Sequence, residues 1–513
     1  MSNYQQLEKH FKKLARFNHL GAICGWDQAS MMPEGGNDAR SAAMAELAVY
    51  THQLLTDPKL EALFTQAESE QLSADTLASL REMKSRWQQA TVLPEELVEA
   101  QSKAGSVCEH AWRGQRKDNN WADFQVNLEK VVDLSRQEAQ IRAEATGLSR
   151  YNALVDLYEP GMTTEKLDAI FADVKSWLPD LIQQIQKKQE SESVLTPQGP
   201  FAINKQKELS LEMMKLLGFD FNHGRLDVSV HPFCGGVPTD VRMTTRYDEA
   251  DFTSALMGVI HETGHARYEQ GLPKEWAELP AGEARSMGIH ESQSLLFEMQ
   301  LSRSPEFIKL LAPTAQSLFN RGDDPAFTAD NITLFNTRVK PAFIRVDADE
   351  VTYPAHIILR YEIERDLIEG KIEVADIPSL WNQKMTEYLG VNTEGNYTDG
   401  CMQDIHWTER KCTVHNYKDG CLQDIHWTQG AFGYFPSYTL GAMYAAQFMA
   451  AMKKTVDVDG AIRSGDLSPI FNWLSEKIWS KGSLLTTDEL VTQATGETLN
   501  ASYFKEHLKS RYL

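Results

Sequence analysis

Residues 261–265 read His-Glu-Thr-Gly-His, inside the stretch DFTSALMGVIHETGHARYEQG. The apolar run Ala255–Ile260 before it predicts a buried helix, and that limits what the chain can fold into. Two imidazoles and a carboxylate are costly to bury without a partner. Positions four apart share a helix face, so His261 and His265 can both address one metal ion. Glu262 can then reach a water on that ion without taking a coordination position. Imidazole nitrogen and carboxylate oxygen in a tetrahedral array suit zinc, with one position left for water. Gly264 lowers helix propensity, as expected where something must approach the helix closely. A bare HExxH pattern also arises by chance on soluble helices; burial argues against chance here.

A third ligand must come from elsewhere. Six residues after His265 stands Gly271, and position 268 is Tyr. Glu269 lies one turn along the same helix, and three ligands in a line cannot converge on one ion. The next helical stretch, AGEARSMGIHESQSLLFEMQ, offers Glu283, Glu291 and Glu298. Glu291 is favoured because it opens an apolar helical run after Ile289; Glu298 shares its face, and spacing does not exclude it.

The chain around this motif reads as helical. Apolar residues recur every three or four positions in EGGNDARSAAMAELAVYTHQLL, ADTLASLREMKSRWQQA and LPEELVEAQSKAGSVCEHAWRGQ, with Asn37 or Asp38 capping the first and Pro94 opening the third. Residues 191–200, SESVLTPQGP, read as a linker. One small β-hairpin is expected, RLDVSVHPFC paired with DVRMTTRY across the turn-like GGVPT. With 42% hydrophobic and 24% charged residues over 513 positions, there is ample material for a core. The formal charge of −21 speaks against nucleic acid and anionic membranes as partners, so an anionic substrate would need its own buried cation. No secretory signal or membrane span is visible, and six scattered cysteines fit a reducing cytoplasm.

A phrase is written twice. NYTDGCMQDIHWT from Asn396 faces NYKDGCLQDIHWT from Asn416, identical except for Thr398/Lys418 and Met402/Leu422. Two copies suggest local tandem duplication, since a solenoid needs at least three units. A second metal site built from Cys401, Cys412 and Cys421 with His406 and His415 matches no zinc-knuckle spacing.

Several motifs then occur in order: GWDQASMMPEGGNDAR at 25–40, HPF at 231–233, DVRMT at 240–244, HETGH at 261–265, HES at 290–292, IRVDAD at 344–349 and GCLQDIHW at 420–427. Together they resemble the carboxypeptidase Taq family of metallocarboxypeptidases, over essentially the whole chain. The resemblance implies a mostly α fold: a two-lobed helical metallopeptidase with a deep central groove and one small sheet, similar to thimet oligopeptidase and angiotensin-converting enzyme. It implies a single catalytic domain over 1–513, a zinc cofactor that cobalt can replace, and a homodimer. The reaction implied is release of single residues from peptide C-termini, with His261, His265 and Glu291 as ligands and Glu262 as general base. The family carries one QDxHW phrase followed by Gly-Tyr-Phe-Pro; only the second copy here precedes such a segment. Gln423, His426 and Trp427 are therefore expected in the site and residues 393–412 as the insertion.

Oxyanion donors are expected from His426 and Tyr434. The terminal carboxylate calls for an arginine, Arg345 first and Arg242 second, against ion pairs with Asp349 and Asp240 as the structural alternatives. His231 is either a substrate contact or a packed histidine. The expected function is a cytoplasmic metallocarboxypeptidase of broad specificity acting on short peptides. The alternatives are an oligoendopeptidase or dipeptidyl carboxypeptidase, and an inactive zinc-binding scaffold.

Overall fold

The computed structural model describes residues 1–229, 232–403 and 432–513. Its N-terminal helices are α1 (Asn3–Ser30), α2 (Asn37–Leu55), α3 (Lys59–Ala67) and α4 (Ala74–Thr91). A Ser2/Gln5 capping box starts α1 and Ser73 caps α4, each satisfying backbone N–H groups that a helix start leaves open. These helices bury their own apolar cluster, including Leu7, Phe11, Phe64 and Met83. Arg40 of α2 ties back to Asp27 of α1 at 2.7 Å.

Pro94 precedes α5 (Glu95–Lys117), as the sequence predicts, and α5 packs on α6 (Trp121–Thr146). Then follow α7 (Arg150–Val155), α8 (Thr164–Gln189) and α9 (Ile203–Leu216). The expected linker over 191–200 is irregular but fastened: Asn331 accepts from Leu195 N and donates to Leu195 O, both at 2.8 Å.

The sheet differs from the expected hairpin. Strands β1 (Gly224–Val228), β2 (Phe233–Val237) and β3 (Asp240–Thr245) lie in the order β1-β3-β2. RLDV and DVRMTT do pair, but in parallel, with Leu226 opposite Met243. The hairpin partner of β3 is FCGGV, with Phe233 opposite Thr244. Gly235-Gly236, read as part of the turn, stay in the strand, and Pro238-Thr239 make the turn. A Cβ on Gly236 would lie 2.2 Å from the Asp240 carbonyl, so the hairpin closes tightly only with glycine there.

The catalytic-motif helix is α10 (Phe252–Gly271), capped by Asp251. The sheet packs Leu226, Val241 and Met243 against Val259 and Ala266 of α10. After it come α11 (Met287–Leu295), a π-helical turn (Leu296–Ser302), α12 (Pro305–Leu318), α13 (Ala329–Asn336), α14 (Tyr353–Ile368) and α15 (Ile377–Leu389). The C-terminal helices are α16 (Pro436–Met452), α17 (Val458–Ser464), α18 (Ser468–Lys477), α19 (Thr487–Thr495) and α20 (Ser502–Tyr512). Helices α14 and α16 are buried on nearly every side, which places them in the central core, where α16 packs on α11 and α14 on α16. No helix among the described residues is long and apolar enough to cross a membrane.

Candidate active site

Helix α10 turns Val259 and Ala266 to the sheet, His261 and His265 away from it, and Glu262 part-way between. Its closest neighbour is the backbone of α11. A Cβ on Gly264 would stand 2.4 Å from Gln293 O and 2.6 Å from Ser294 Cα, so the close approach predicted from this glycine is made by α11. Gly441 of α16 also faces α11 and lets the Glu291 side chain pass; a Cβ there would lie 2.7 Å from Glu291 Cγ. The start of α11 is held by the loop after α7: Met287 N donates to Tyr158 O at 3.1 Å, and Gly288 N to the Glu159 carboxylate.

This clamp brings Glu291 to the two histidines. Glu291 Oε2 lies 3.5 Å from His265 Nε2 and 3.9 Å from His261 Nε2, and donor atoms of the three residues fall within 4.8 Å of one another. Donors about 2.0–2.2 Å from a tetrahedral zinc stand roughly 3.3–3.6 Å apart, so this set fits such an ion. Among the described residues no other histidine, cysteine and carboxylate group gathers this way. Of the rival second site at the repeat only Cys401 is described, and it is buried; Cys412, Cys421, His406 and His415 lie outside the described residues.

Both histidine rings are also held from behind. His261 Nδ1 lies 3.0 Å from Glu298 Oε2, and Arg303 Nη2 donates to Glu298 Oε1 at 2.7 Å. Glu298, left open as a ligand by its spacing, therefore backs a ligand. The π turn makes the pairing possible: Arg303 N bonds the Glu298 carbonyl five residues back, at 3.2 Å, which brings Arg303 round beside Glu298. His265 Nδ1 lies 2.6 Å from His290 Nδ1, and His290 Nε2 lies 2.8 Å from Glu269 Oε1.

The local field favours positive charge at the centre. Burial opposes protonation of His261, but the Glu291 and Glu298 carboxylates outweigh it and carry His261 up to about 10. Burial raises Glu291 too, yet His261 and His265 bring it down to about 2. Burial takes His265 down to about 4, so it stays neutral, as a metal-binding imidazole must. Glu262, raised mainly by burial, sits at about 7.

Next to Glu291 stands an aromatic wall. Tyr438, one turn before Gly441 on α16, meets Tyr434 with ring centroids 5.2 Å apart, and Tyr434 meets Tyr158 at 5.1 Å. Glu291 acts on Tyr434, Tyr438 and Tyr353, in each case adding to burial in raising the phenol. Arg345, only 4% exposed, lies 5.0 Å over the Tyr438 ring and donates to the Tyr353 hydroxyl. Asp349 accepts from Lys340 N, Val351 N and Thr352.

Arg242 is placed differently. It makes two bonds to Asp240, at 2.5 and 2.8 Å, and lies 4.5 Å over the Trp26 ring, which Arg225 also approaches. The expectation that it receives the substrate is corrected here: pairing and stacking employ it in fastening α1 to the sheet. His231, Gln423, His426 and Trp427 lie outside the described residues.

The expected insertion over 393–412 also needs correction at its front end, because residues 396–403 are built into the fold. Thr398 Oγ1 donates to Arg116 O at 2.8 Å, Trp112 Nε1 donates to Met402 O at 3.0 Å, and Cys401 and Met402 are buried. Gln403 accepts from Arg345 N at 2.9 Å and from Arg360 at 3.0 Å, and donates to Phe343 O and Asp399 O. This glutamine of the first copy fixes the backbone at Arg345. Its counterpart in the second copy, Gln423, lies outside the described residues.

A profile of the carboxypeptidase Taq (M32) metallopeptidases matches residues 6–412 and 410–512. The chain belongs to that family. It is a metallocarboxypeptidase with the family's helical metallopeptidase fold. The two matched segments meet inside the repeat, where this member carries its duplicated phrase. Thermostable carboxypeptidase 1 of Thermus thermophilus is 34% identical over 524 residues, covering 99% of this chain and 98% of the relative. Carboxypeptidase 1 of Bacillus subtilis is 34% identical over 517 residues, covering 98% of each. Metallocarboxypeptidase 1 of Trypanosoma cruzi superposes with a TM-score of 0.93 at 47% identity, covering 99% of both chains.

Proposed function

We propose that this carboxypeptidase holds zinc, replaceable by cobalt, on His261, His265 and Glu291, and releases single residues from the free C-termini of short peptides with broad specificity. We further propose that it works in the cytoplasm as a homodimer. One observation carries the exopeptidase reading: a buried guanidinium, Arg345, on the same aromatic wall that borders Glu291. On a chain of net charge −21, such a cation is what a substrate carboxylate requires.

A divalent ion at this centre supplies a Lewis acid and makes water a nucleophile near neutral pH. Arg345 takes the terminal carboxylate through two parallel N–H bonds and so sets the last peptide bond at a fixed distance from the ligands. Glu262 accepts the proton of the attacking water and passes it to the leaving nitrogen. Burial raises the Tyr434 phenol, so it keeps its proton and donates to the developing oxyanion. His426 is proposed as a second donor, with His231 as a substrate contact, on their sequence motifs; Gln423 falls among the extra residues placed below.

The extra residues of this chain are best placed at 404–423. That choice keeps the built-in first copy through Gln403 and rejoins the second at Asp424, ahead of Gly433, whose N–H reaches Glu364 at 3.2 Å.

The test pairs an N-blocked dipeptide ending in a basic or large apolar residue with its C-amidated twin, each with and without a metal chelator. Release of the terminal amino acid from the acid alone, abolished by chelation, is expected. Equal cleavage of both forms would move the assignment to an endopeptidase. Cleavage of neither, by protein that still holds its metal, would favour the inactive scaffold.

A further inference from the structure

The two ligand histidines are backed in different ways. His261 meets a carboxylate directly, whereas His265 meets a second imidazole, with a carboxylate one step further back. A nitrogen–nitrogen approach of 2.6 Å is closer than any face-to-face ring contact and is reached edge to edge. The two rings are offset and tilted by 29°, with centroids at 4.5 Å, so the bond joins their nitrogen edges across a partly overlapped pair. The hydrogens along this line are then determined. His265 turns Nε2 toward Glu291, so Nδ1 carries its hydrogen and donates to His290 Nδ1. Having accepted at Nδ1, neutral His290 carries its hydrogen on Nε2 and donates to Glu269 Oε1.

We propose that His290 and Glu269 form a two-step positioning relay that fixes the tautomer and ring orientation of His265 and thereby raises the affinity of the centre for its metal. Glu269 cannot join the ligands of its own helix, yet its place one turn beyond His265 suits the end of this relay. His290 immediately precedes Glu291, so one turn of α11 supplies both a ligand and the support of another ligand. The inference rests on the proposed zinc centre.

Zinc affinity of the metal-free protein, measured by competition with a chelating dye, tests it. Loss of an outer-shell partner of a metal-bound histidine weakens metal binding about 10- to 100-fold. His290→Leu, close in size but unable to hydrogen-bond, is expected to show that loss. His290→Gln, whose amide accepts on one side and donates on the other, is expected to stay within a few fold of the parent. Glu269→Gln should weaken the parent but leave His290→Leu unchanged, because Glu269 acts only through His290. Equal affinity of parent and His290→Leu overturns the relay, as do additive losses in the double variant or no recovery by glutamine. A parent that binds no zinc, or binds it as well with His261 and His265 both changed to alanine, instead overturns the zinc centre. Thermal unfolding of each metal-free variant shows whether it is folded before titration.

Discussion

At the scale of single side chains the site divides into groups with separable effects. Glu262→Gln keeps the size and loses the base, so turnover should fall about 100- to 10,000-fold while bound zinc, measured by atomic absorption, stays at parent level. Tyr434→Phe removes one donor to the oxyanion; kcat should drop about 100-fold with KM nearly unchanged. Arg345→Gln should act on the other variable, lowering kcat/KM for the free-acid dipeptide about 10- to 100-fold and leaving the amide unaffected, as expected from losing one charge-assisted pair. The HETGH motif made the histidines and Glu262 legible, because helix periodicity alone places them. Tyr353 and Tyr438 had no such signal: an aromatic in an apolar helix reads as core until Arg345 is seen lying on it.

Between elements, the contact that matters is backbone against backbone. Gly264→Ala would drive a Cβ into the main chain of α11, with no flexible side chain to yield. Overpacking of this kind costs typically 1–3 kcal/mol, and the displaced α11 should also weaken zinc binding, readable as a lower Tm together with a higher metal Kd. Removal of residues 404–423, which joins Gln403 to Asp424, should leave Tm close to the parent's, since the bonds of Thr398, Met402 and Gln403 described above are retained. Removal of 393–412 should lower it: Lys418 would then replace Thr398, whose hydroxyl fits the short gap to Arg116 O. The helices themselves were readable from spacing, and Pro94 opens α5 as expected; the cap expected from Asn37 or Asp38 is not made, since α2 starts after Gly36 with no side-chain cap. The strand pairing was less so, because FCGGV lacks the alternation of RLDV and its glycines read as turn, although they stay in the strand that turns back on β3.

For the molecule as a whole, the loop holding α11 predicts how stability responds to pH. Glu159, 1% exposed, is raised to about 7, mainly by burial and against the Gly288 N–H and the neighbouring Ser437 and Ser286 hydroxyls. A carboxyl held above its unfolded value of about 4.5 binds its proton more tightly in the native state. Its contribution is therefore complete below that value and is lost as pH rises through about 7. Glu159→Gln, neutral at every pH, should flatten the fall in denaturation midpoint between about pH 4.5 and 7, as urea titrations across that range would show. The fold class was legible from helical texture and charge. The fastening of α7's loop, α11 and α16 into one block was not, since it rests on contacts between distant segments that carry no common pattern.

That block also restricts how such a chain can change over time. Gly264 of α10 and Gly441 of α16 both face α11, each where a side chain would meet that helix. No amino acid is smaller than glycine, so substitution at either place can only add atoms and push the same helix away from the metal. Variation there has one direction and no compensating step on the same residue. Descendants can rewrite most of the surface, but these two positions accept drift only if α11, and the ligand it carries, moves with them.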